Sequence, residues 1–510
     1  MELELKKQQI KYKKQVYSDK INLEKTQEVI VSDTLPDVFE IVDTFATAFL
    51  RGKDTSTGKV TVGGAVDVSV LFSADNGYKT RSVSTSIPFT ATADSSEITD
   101  NCEITAKITV ISAETKMINP RKALVRINLC VHVTCYTDTE SEISNDIISN
   151  GHTECHIEET TVLITKNINE KTFTISDEFS VDTINKPSEI LAYSVNLITE
   201  ETKPIGNKLI VSGRASSKVI YLPEDSENVE CAEFSTPFSQ IVELTDIADE
   251  HHTDCELMLT GAYFSISEIS GTGEKGIVSE LHGVIQCETS QEEKIAFLSD
   301  IYSTKYTLTS NKEVFSGNSR KILQNIGASV QGTVPAAVAP EKIVSACFQL
   351  SDPHINNDGN CTKAVSTVTV KILYFGSDNQ LRSAKANIDF DAALQCELEH
   401  NLFLTISSAD EIYIAPIGIN FEVRLPVSFG VYCNKNERFS YINSVTYDEK
   451  DILNKDSIPS ITLYRTKEVD SIWSICKEHL TRKDIFIDAN ELVDGAEITE
   501  NKLLIIPKCN

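Results

Sequence analysis

No run of 18 or more apolar residues occurs in this 510-residue chain, so nothing in it reads as a membrane-spanning helix. The opening residues Met1–Ile10 contain no apolar h-region, and export by a standard signal is not expected. Basic residues are in deficit: 47 Lys plus Arg against 75 Asp plus Glu leave a formal net charge of -28. So acidic a surface repels nucleic-acid phosphates and anionic lipid headgroups, which argues against both as partners. The 13 cysteines are odd in number and include no Cys-x-x-Cys pair, so neither structural zinc nor a disulfide framework is indicated, and reduced thiols are the default. Long amphipathic helical stretches are scarce. What is present is a globular composition, 41% apolar and 24% charged, over a length that predicts three to five domains at about 100–200 residues each.

The prevailing pattern is short apolar–polar alternation bounded by Gly, Asn, Asp and Ser, which specifies β-strands joined by turns. Val66-Asp-Val-Ser-Val-Leu-Phe72 is one such run, and Asn76-Gly77 after it suits a type I′ hairpin turn. The unit recurs. Tyr221 precedes Phe238 by the same 17 residues that separate Phe72 from Phe89, and Phe375 with Phe390 gives a shorter third copy. Each copy continues into a Cys-Glu-apolar strand start, at Cys102, Cys255 and Cys396, and 32 to 37 residues later reaches Cys135, Cys287 and Cys433. Val31-Ser-Asp33 and Ile175-Ser-Asp177 also rhyme, whereas the third copy departs, with Leu308-Thr-Ser310 and an approach through Pro335, Pro340 and Pro353. The expected organisation is a basic segment 1–23, three β-sandwich-like repeats over 24–158, 176–310 and 316–447, and a small terminal module at 460–508.

Several motifs tempt a catalytic or ligand-binding reading. Gly271-Thr-Gly-Glu-Lys-Gly276 satisfies the dinucleotide-binding pattern but runs into an alternating strand, so a glycine-rich hairpin loop is the better reading. Gly52 to Gly58-Lys59 has the wrong spacing for a phosphate loop, with Val60 where a magnesium-binding hydroxyl belongs. Cys130, His132, Cys135, His152, Cys155 and His156 crowd together, yet alternation sends Cys130 and His132 to one strand face and Cys135 to the other, against a shared metal. The repeat-equivalent cysteine pairs read as small buried core residues, with disulfides as the alternative. No nucleophile elbow, metalloprotease helix or glycosidase module is present, and no catalytic residue, cofactor or metal is assigned.

Charge is unevenly spread. Thr137–Thr160 holds seven acids and Val219–Thr260 eleven, with no Lys or Arg in either stretch. Both read as solvated loops, the alternative being cation binding or docking to a basic protein. Lys6, Lys7, Lys11, Lys13 and Lys14 read as the solvated face of an entering strand, or else as a basic arm for an acidic partner.

The last 50 residues change character and hold the only tryptophan, Trp473. They read as strand, helix, helix, strand: Ser460–Tyr464, then Ser471–His479 capped by Asp470-Ser471, a second helix from Thr481 or Arg482, and a strand Leu503–Ile506 stopped by Pro507. Ile472, Ile475 and Cys476 form the first helix's inner stripe. Tyr464, Asp470-Ser-Ile-Trp-Ser-Ile475, Asn490 and Leu503-Leu-Ile-Ile-Pro507 resemble the LysM family, with Val469 and Glu500-Asn-Lys502 departing from its pattern beside the glycan groove.

Three such repeats followed by one LysM module resemble the SPOCS proteins of the spore coat. The resemblance implies a mainly β, non-catalytic scaffold of coat morphogenesis. It would be made in the mother-cell cytoplasm and then placed at the forespore surface, where its LysM grips a coat-assembling ATPase, stage IV sporulation protein A, alongside other coat proteins. On that reading Trp473 anchors the module's core, and a partner surface beside it takes in Val469, Asp470, Ile472, Trp473, Leu492 and Asn501. The rival is a wall or cortex protein whose LysM binds peptidoglycan.

Overall fold

The computed structural model describes residues 2–508 apart from 75–78, 149–150, 182–185, 246–250, 271–272, 358–360, 395–401, 455–458 and 494, and apart from the side chains of 318–322 and 434–437. Asn76-Gly77, Gly271-Thr272 and Cys396-Glu-Leu398 therefore lie outside the described residues. Unit one starts with a long strand, β1 (Leu5–Ile30), continues as a meander of β2 (Glu40–Ser56), β3 (Lys59–Ala74) and β4 (Lys79–Asp94), and ends in a hairpin of β5 (Glu103–Asn119) and β6 (Lys122–Ile147). The last strand pairs back onto the first, so one antiparallel sheet has the order β1-β6-β5 and the meander forms a second, β2-β3-β4.

Unit two repeats this with β7 (Thr153–Ser180), β8 (Pro187–Ile205), β9 (Lys208–Pro223), β10 (Glu230–Glu243), β11 (His252–Glu268) and β12 (Lys275–Ser303), in sheets β11-β12-β7 and β10-β9-β8. In unit three β13 (Tyr306–Pro335) leads to a meander whose first strand is broken into β14 (Pro340–Leu350) and β15 (His354–Asn357), followed by β16 (Thr362–Gly376) and β17 (Leu381–Ala393). Pro353 sits at that break, where its missing N–H cannot join a ladder. The hairpin strand is likewise split into β18 (Leu402–Ser408) and β19 (Tyr413–Ile417), both on β20 (Asn420–Ile452), which pairs with β13.

Strand alternation builds each unit's core. Val62, Val66, Val68 and Val70 of β3 are buried with Val125, Ile127, Leu129 and Val131 of β6 in one cluster between the two sheets. Glycine recurs where a ring crosses the neighbouring strand: Phe89 stands opposite Gly64 and Phe238 opposite Gly213, while Phe390 faces Ser366 in unit three. A Cβ on Gly213 would lie 2.2 Å from the Ile198 carbonyl and 2.9 Å from the Phe238 ring.

The pairing groups the chain as 5–147, 153–303 and 306–452, which differs from the expected repeats at 24–158, 176–310 and 316–447. Residues 1–23 are no separate basic segment, because β1 is hydrogen-bonded along β6 from Leu5 to Ile30. That register sets the amino-terminal lysines against the first acidic stretch. Lys6 meets Asp146 at 2.7 Å and Lys13 meets Asp138 at 2.8 Å, with Lys7–Glu142 and Lys11–Glu140 between them. Acids of the second stretch reach the other units, through Glu227 to Arg81, Glu256 to Lys107 and Glu230 to Lys342. Among the described residues, both stretches expected as solvated loops lie largely in strands, and these acids are paired along a ladder or across a seam.

The three units share cores. Leu71 of unit one, Leu191 and Ile220 of unit two, and Val344 and Leu373 of unit three are buried together. Farther along the long strands Ile10 and Ile143 join Val162, Ile164, Ile295 and Phe297, then Phe315 and Tyr441, with Phe439 stacked 4.4 Å from Phe297. Gln286 of β12, itself buried, clamps unit two to the edge strand of unit one: its Nε2 donates to the Ala106 carbonyl at 2.7 Å and its Oε1 accepts the Ala106 N–H at 3.0 Å.

Candidate functional site

The terminal module pairs β21 (Ile461–Arg465) with β22 (Leu503–Pro507) and carries α1 (Ile472–Glu478) and α2 (Lys483–Ala489) between them. Ser471 caps α1 in a capping box: its Oγ accepts the Ser474 N–H at 3.0 Å, and Ser474 Oγ accepts the Ser471 N–H at 2.8 Å. Ile472, Ile475 and Cys476 are buried with Phe486, Leu504 and Ile506. Asn490 ties α2 to the sheet, accepting the Ile505 N–H and donating to the Ile505 carbonyl, each at 2.7 Å.

Of the six residues expected at the partner surface, five fall into three groups, and Trp473 stands apart. Val469 is 88% exposed, and Asn501 is exposed with φ 62° at the turn into β22. Asp470 is a turn brace whose carboxylate accepts the Tyr464 hydroxyl at 2.9 Å and the Lys467 N–H at 2.7 Å; its hydrogen bond pushes the Tyr464 phenol up. Ile472 is buried in the module's core by the helical stripe of α1, and Leu492, past the end of α2 where its N–H donates to the Ile487 carbonyl, is half-buried against it.

Trp473 anchors an interface rather than the module's interior alone. Its ring stacks 5.0 Å from His156 and meets Tyr302 edge-on at 5.0 Å, while its Nε1 donates to Asp300 at 2.9 Å. Lys477 donates to the same carboxylate at 2.6 and 2.7 Å, and the Tyr302 hydroxyl donates to the Thr481 carbonyl at 2.7 Å. Burial pushes the Asp300 carboxyl up, but the bonds from Lys477 and Trp473 outweigh it and hold the group below its ordinary range. Close by, Glu154 of β7 is pushed up by burial and by Asp484. Sequence reasoning missed Asp300, His156 and Tyr302 as partners of Trp473, since nothing local links them to it and even Asp300 lies 173 residues away.

The outer face of the module's sheet is largely apolar, with the exposed Arg465 at one end across from Leu503. Ile461, Leu463 and Leu503 are 63, 63 and 59% exposed, and Ile505 stands across from Leu463.

Elsewhere the units enclose a cavity of about 660 Å³ whose lysines are already partnered, Lys371 with Asp43 and Lys385 with Glu114. Among the described residues no group of three or more His, Cys, Asp or Glu could hold a metal ion. The Gly58 and Gly273 turns, at φ 80° and 65°, join β2 to β3 and β11 to β12 as hairpins.

Compared with known families, residues 37–118 and 186–267 match the one described as SipL, SPOCS domain. These segments are SPOCS domains. Each SPOCS match runs from the meander through the first hairpin strand, β2 to β5 and β8 to β11, and the two are offset by the same 149 residues at both ends. Unit three lies outside the matched residues yet repeats the strand order. SPOCS domains are non-catalytic scaffold domains with a general role in spore morphogenesis, and the family is consistent with a place in the spore coat. No curated protein and no solved structure matches the chain. No described helix is long and apolar enough to cross a membrane.

Proposed function

We propose that this chain is a coat-morphogenesis scaffold, made in the mother-cell cytoplasm and placed at the forespore surface. Its terminal, LysM-like module tethers the coat-assembling ATPase, stage IV sporulation protein A, while the SPOCS units contact other coat proteins. The observation that carries the tethering role is the largely apolar outer face of β21 and β22, with Ile461, Leu463, Leu503 and Ile505. The module is nearly neutral, with seven Lys plus Arg against nine acids over 460–510, so it binds by shape and apolar contact rather than by charge steering. Val469 and Asn501 add exposed turn positions.

Leu463→Asp and Leu503→Asp replace exposed side chains and leave the module's core untouched. Each is expected to abolish co-purification of the full chain with the ATPase from sporulating cells while leaving Trp473 fluorescence unchanged. Undiminished co-purification of both variants refutes the tether.

A further inference from the structure

Cys255 and Cys287 stand directly opposite each other on β11 and β12, and their Sγ atoms are 2.8 Å apart. Facing residues of an antiparallel pair have Cα atoms about 4.5–5.5 Å apart, inside the range that a disulfide spans. The separation of the sulfurs lies roughly midway between a non-bonded contact and the roughly 2.0 Å of an S–S bond. Unit one is built differently at this place. Aligning the two hairpins on their bulges, Val110/Ser112 and Leu259/Gly261, puts Ala106 and Val133 where unit two has Cys255 and Cys287. The cysteines of unit one are out of step: Cys135 faces Ile104, and Cys102 lies before β5, accepting the Thr99 N–H. The expected equivalence of the cysteine pairs therefore fails on register, and the facing pair is a feature of unit two.

Access is also one-sided. Cys287 is fully buried, whereas Cys255 is half-buried and lines a cavity of about 440 Å³ between the units. Asp254, Glu256 and Asp352 line the same cavity, and its lysines Lys107 and Lys20 are salt-bridged to Glu256 and Asp352. Such a mouth favours a cationic small molecule over an anionic one.

We propose that Cys255 and Cys287 are a modification site at which exchange with a low-molecular-weight disulfide cross-links β11 to β12. Cys255 loses its proton and its sulfur attacks one sulfur of the small disulfide; that S–S bond breaks, and one thiolate leaves and takes up a proton. Cys287, deprotonated in turn, attacks Cys255 Sγ and expels the second small thiol. The two protein thiols together lose two electrons and two protons, and the small disulfide is reduced to two thiols. The hydrogen bond with Cys287 and burial both push the Cys255 thiol up, so little of it is thiolate near neutrality and the exchange is slow there and speeds up as pH rises.

The test uses the native full chain and cystamine, a cationic disulfide, with long incubations at about pH 7.5 and about pH 8.5, where its amines keep most of their charge and the thiolate fraction rises between the two. After alkylation of remaining thiols in denaturant and digestion without reductant, mass spectrometry should find one linked peptide pair, Cys255 to Cys287, lighter by two hydrogens and cleaved by reductant. Cys102 and Cys135 should carry the alkylating agent. Cys287→Ala, which keeps a small apolar group in the core, should stop at a cysteamine adduct on Cys255. Alkylation of both Cys255 and Cys287 in the parent chain, or an adduct on Cys255 that persists beside a free Cys287, overturns the assignment.

Discussion

Replacing Gln286 by Ala isolates what holds unit two against unit one. The side chain is 2% exposed and satisfies both backbone groups of Ala106 on an edge strand that offers no further strand to pair with. Its Oε1 also accepts from Lys53 Nζ at 2.8 Å, and Lys53 bonds the Ile104 carbonyl at 2.6 Å and Glu170 at 2.7 Å; burial lowers the Lys53 pKa, so each lost acceptor makes its charge costlier. Truncation leaves a buried N–H and a buried C=O without partners, at about 1–3 kcal/mol apiece, so the expected loss is about 2–6 kcal/mol in the earliest denaturant transition. Amide exchange at Ala106 should accelerate with it. Gln286→Glu keeps an acceptor for the Ala106 N–H and Lys53 but sets an oxygen against the Ala106 carbonyl, and should fall between parent and Ala. A loss under about 0.5 kcal/mol in Gln286→Ala, with unchanged exchange at Ala106, would refute the clamp.

Acid should release the terminal module before the units unfold. A carboxylate held below its ordinary value of 3.8, as Asp300 is, contributes its stabilisation fully above that value and loses it as pH falls through the lower folded value. The lone Trp473 should therefore shift its emission to the red below about pH 4 while the β-sheet circular dichroism persists; simultaneous loss of both signals contradicts the docking geometry. Charge reversal of Lys6, Lys7, Lys11 and Lys13 to Glu sets like charges across the β1–β6 ladder and should cost about 1–3 kcal/mol in total, less at high salt; a salt-independent loss tells against ion pairing as the cause. Gly213→Ala forces a Cβ against the Ile198 carbonyl and should destabilise by about 1–3 kcal/mol, while Gly327→Ala, with nothing within 4 Å, should be near neutral; equal midpoints for the two variants count against the close approach.

Local regularities carried far in the sequence and register carried poorly. The alternation of Val66–Phe72 and the helical stripe of Ile472, Ile475 and Cys476 were legible because one face of each element is buried in its own unit. The Phe72–Phe89 spacing was legible as well, since those residues lie on consecutive strands of one meander. Unit boundaries were not legible, because the strand that opens each unit pairs with the strand that closes it, and no local pattern marks that partnership. The same long-range pairing hid the meaning of the charges: Lys6–Lys13 and Asp138–Asp146 looked like two solvated features and are the two sides of one ladder. Matching cysteines by spacing failed for a related reason: Cys102 and Cys135 lie four and two residues from the positions that match Cys255 and Cys287, and the spacing between two cysteines does not show which residue each faces across a hairpin. Trp473 was visible as an anchor, but its partners His156, Tyr302 and Asp300 come from unit two and carry no mark of it.

The shared cores bear on how the proposed scaffold would work. Three sandwiches joined by flexible linkers would raise the avidity of weak sites through effective concentration alone. Here Leu71, Leu191, Ile220, Val344 and Leu373 belong to one buried cluster, and Ile10, Ile164, Phe297, Phe315 and Tyr441 to another, so the units cannot reorient without exposing both. At about 25 cal/mol per Å² of apolar surface, baring even a few such side chains costs several kcal/mol, well above thermal energy. Contacts made by separate units are therefore held at fixed spacing and fixed angle. Such a scaffold discriminates by geometry: a partner, or an array of identical partners, gains from simultaneous engagement only if its own sites match the spacing of the three units. The terminal module is fastened differently, by Trp473 against His156 and Tyr302, one carboxylate and a hydroxyl bond, where the start of β7 meets the end of β12. Fewer and more polar contacts make it the part most easily detached, which places the adaptable element of the chain at the face that carries Ile461, Leu463 and Leu503.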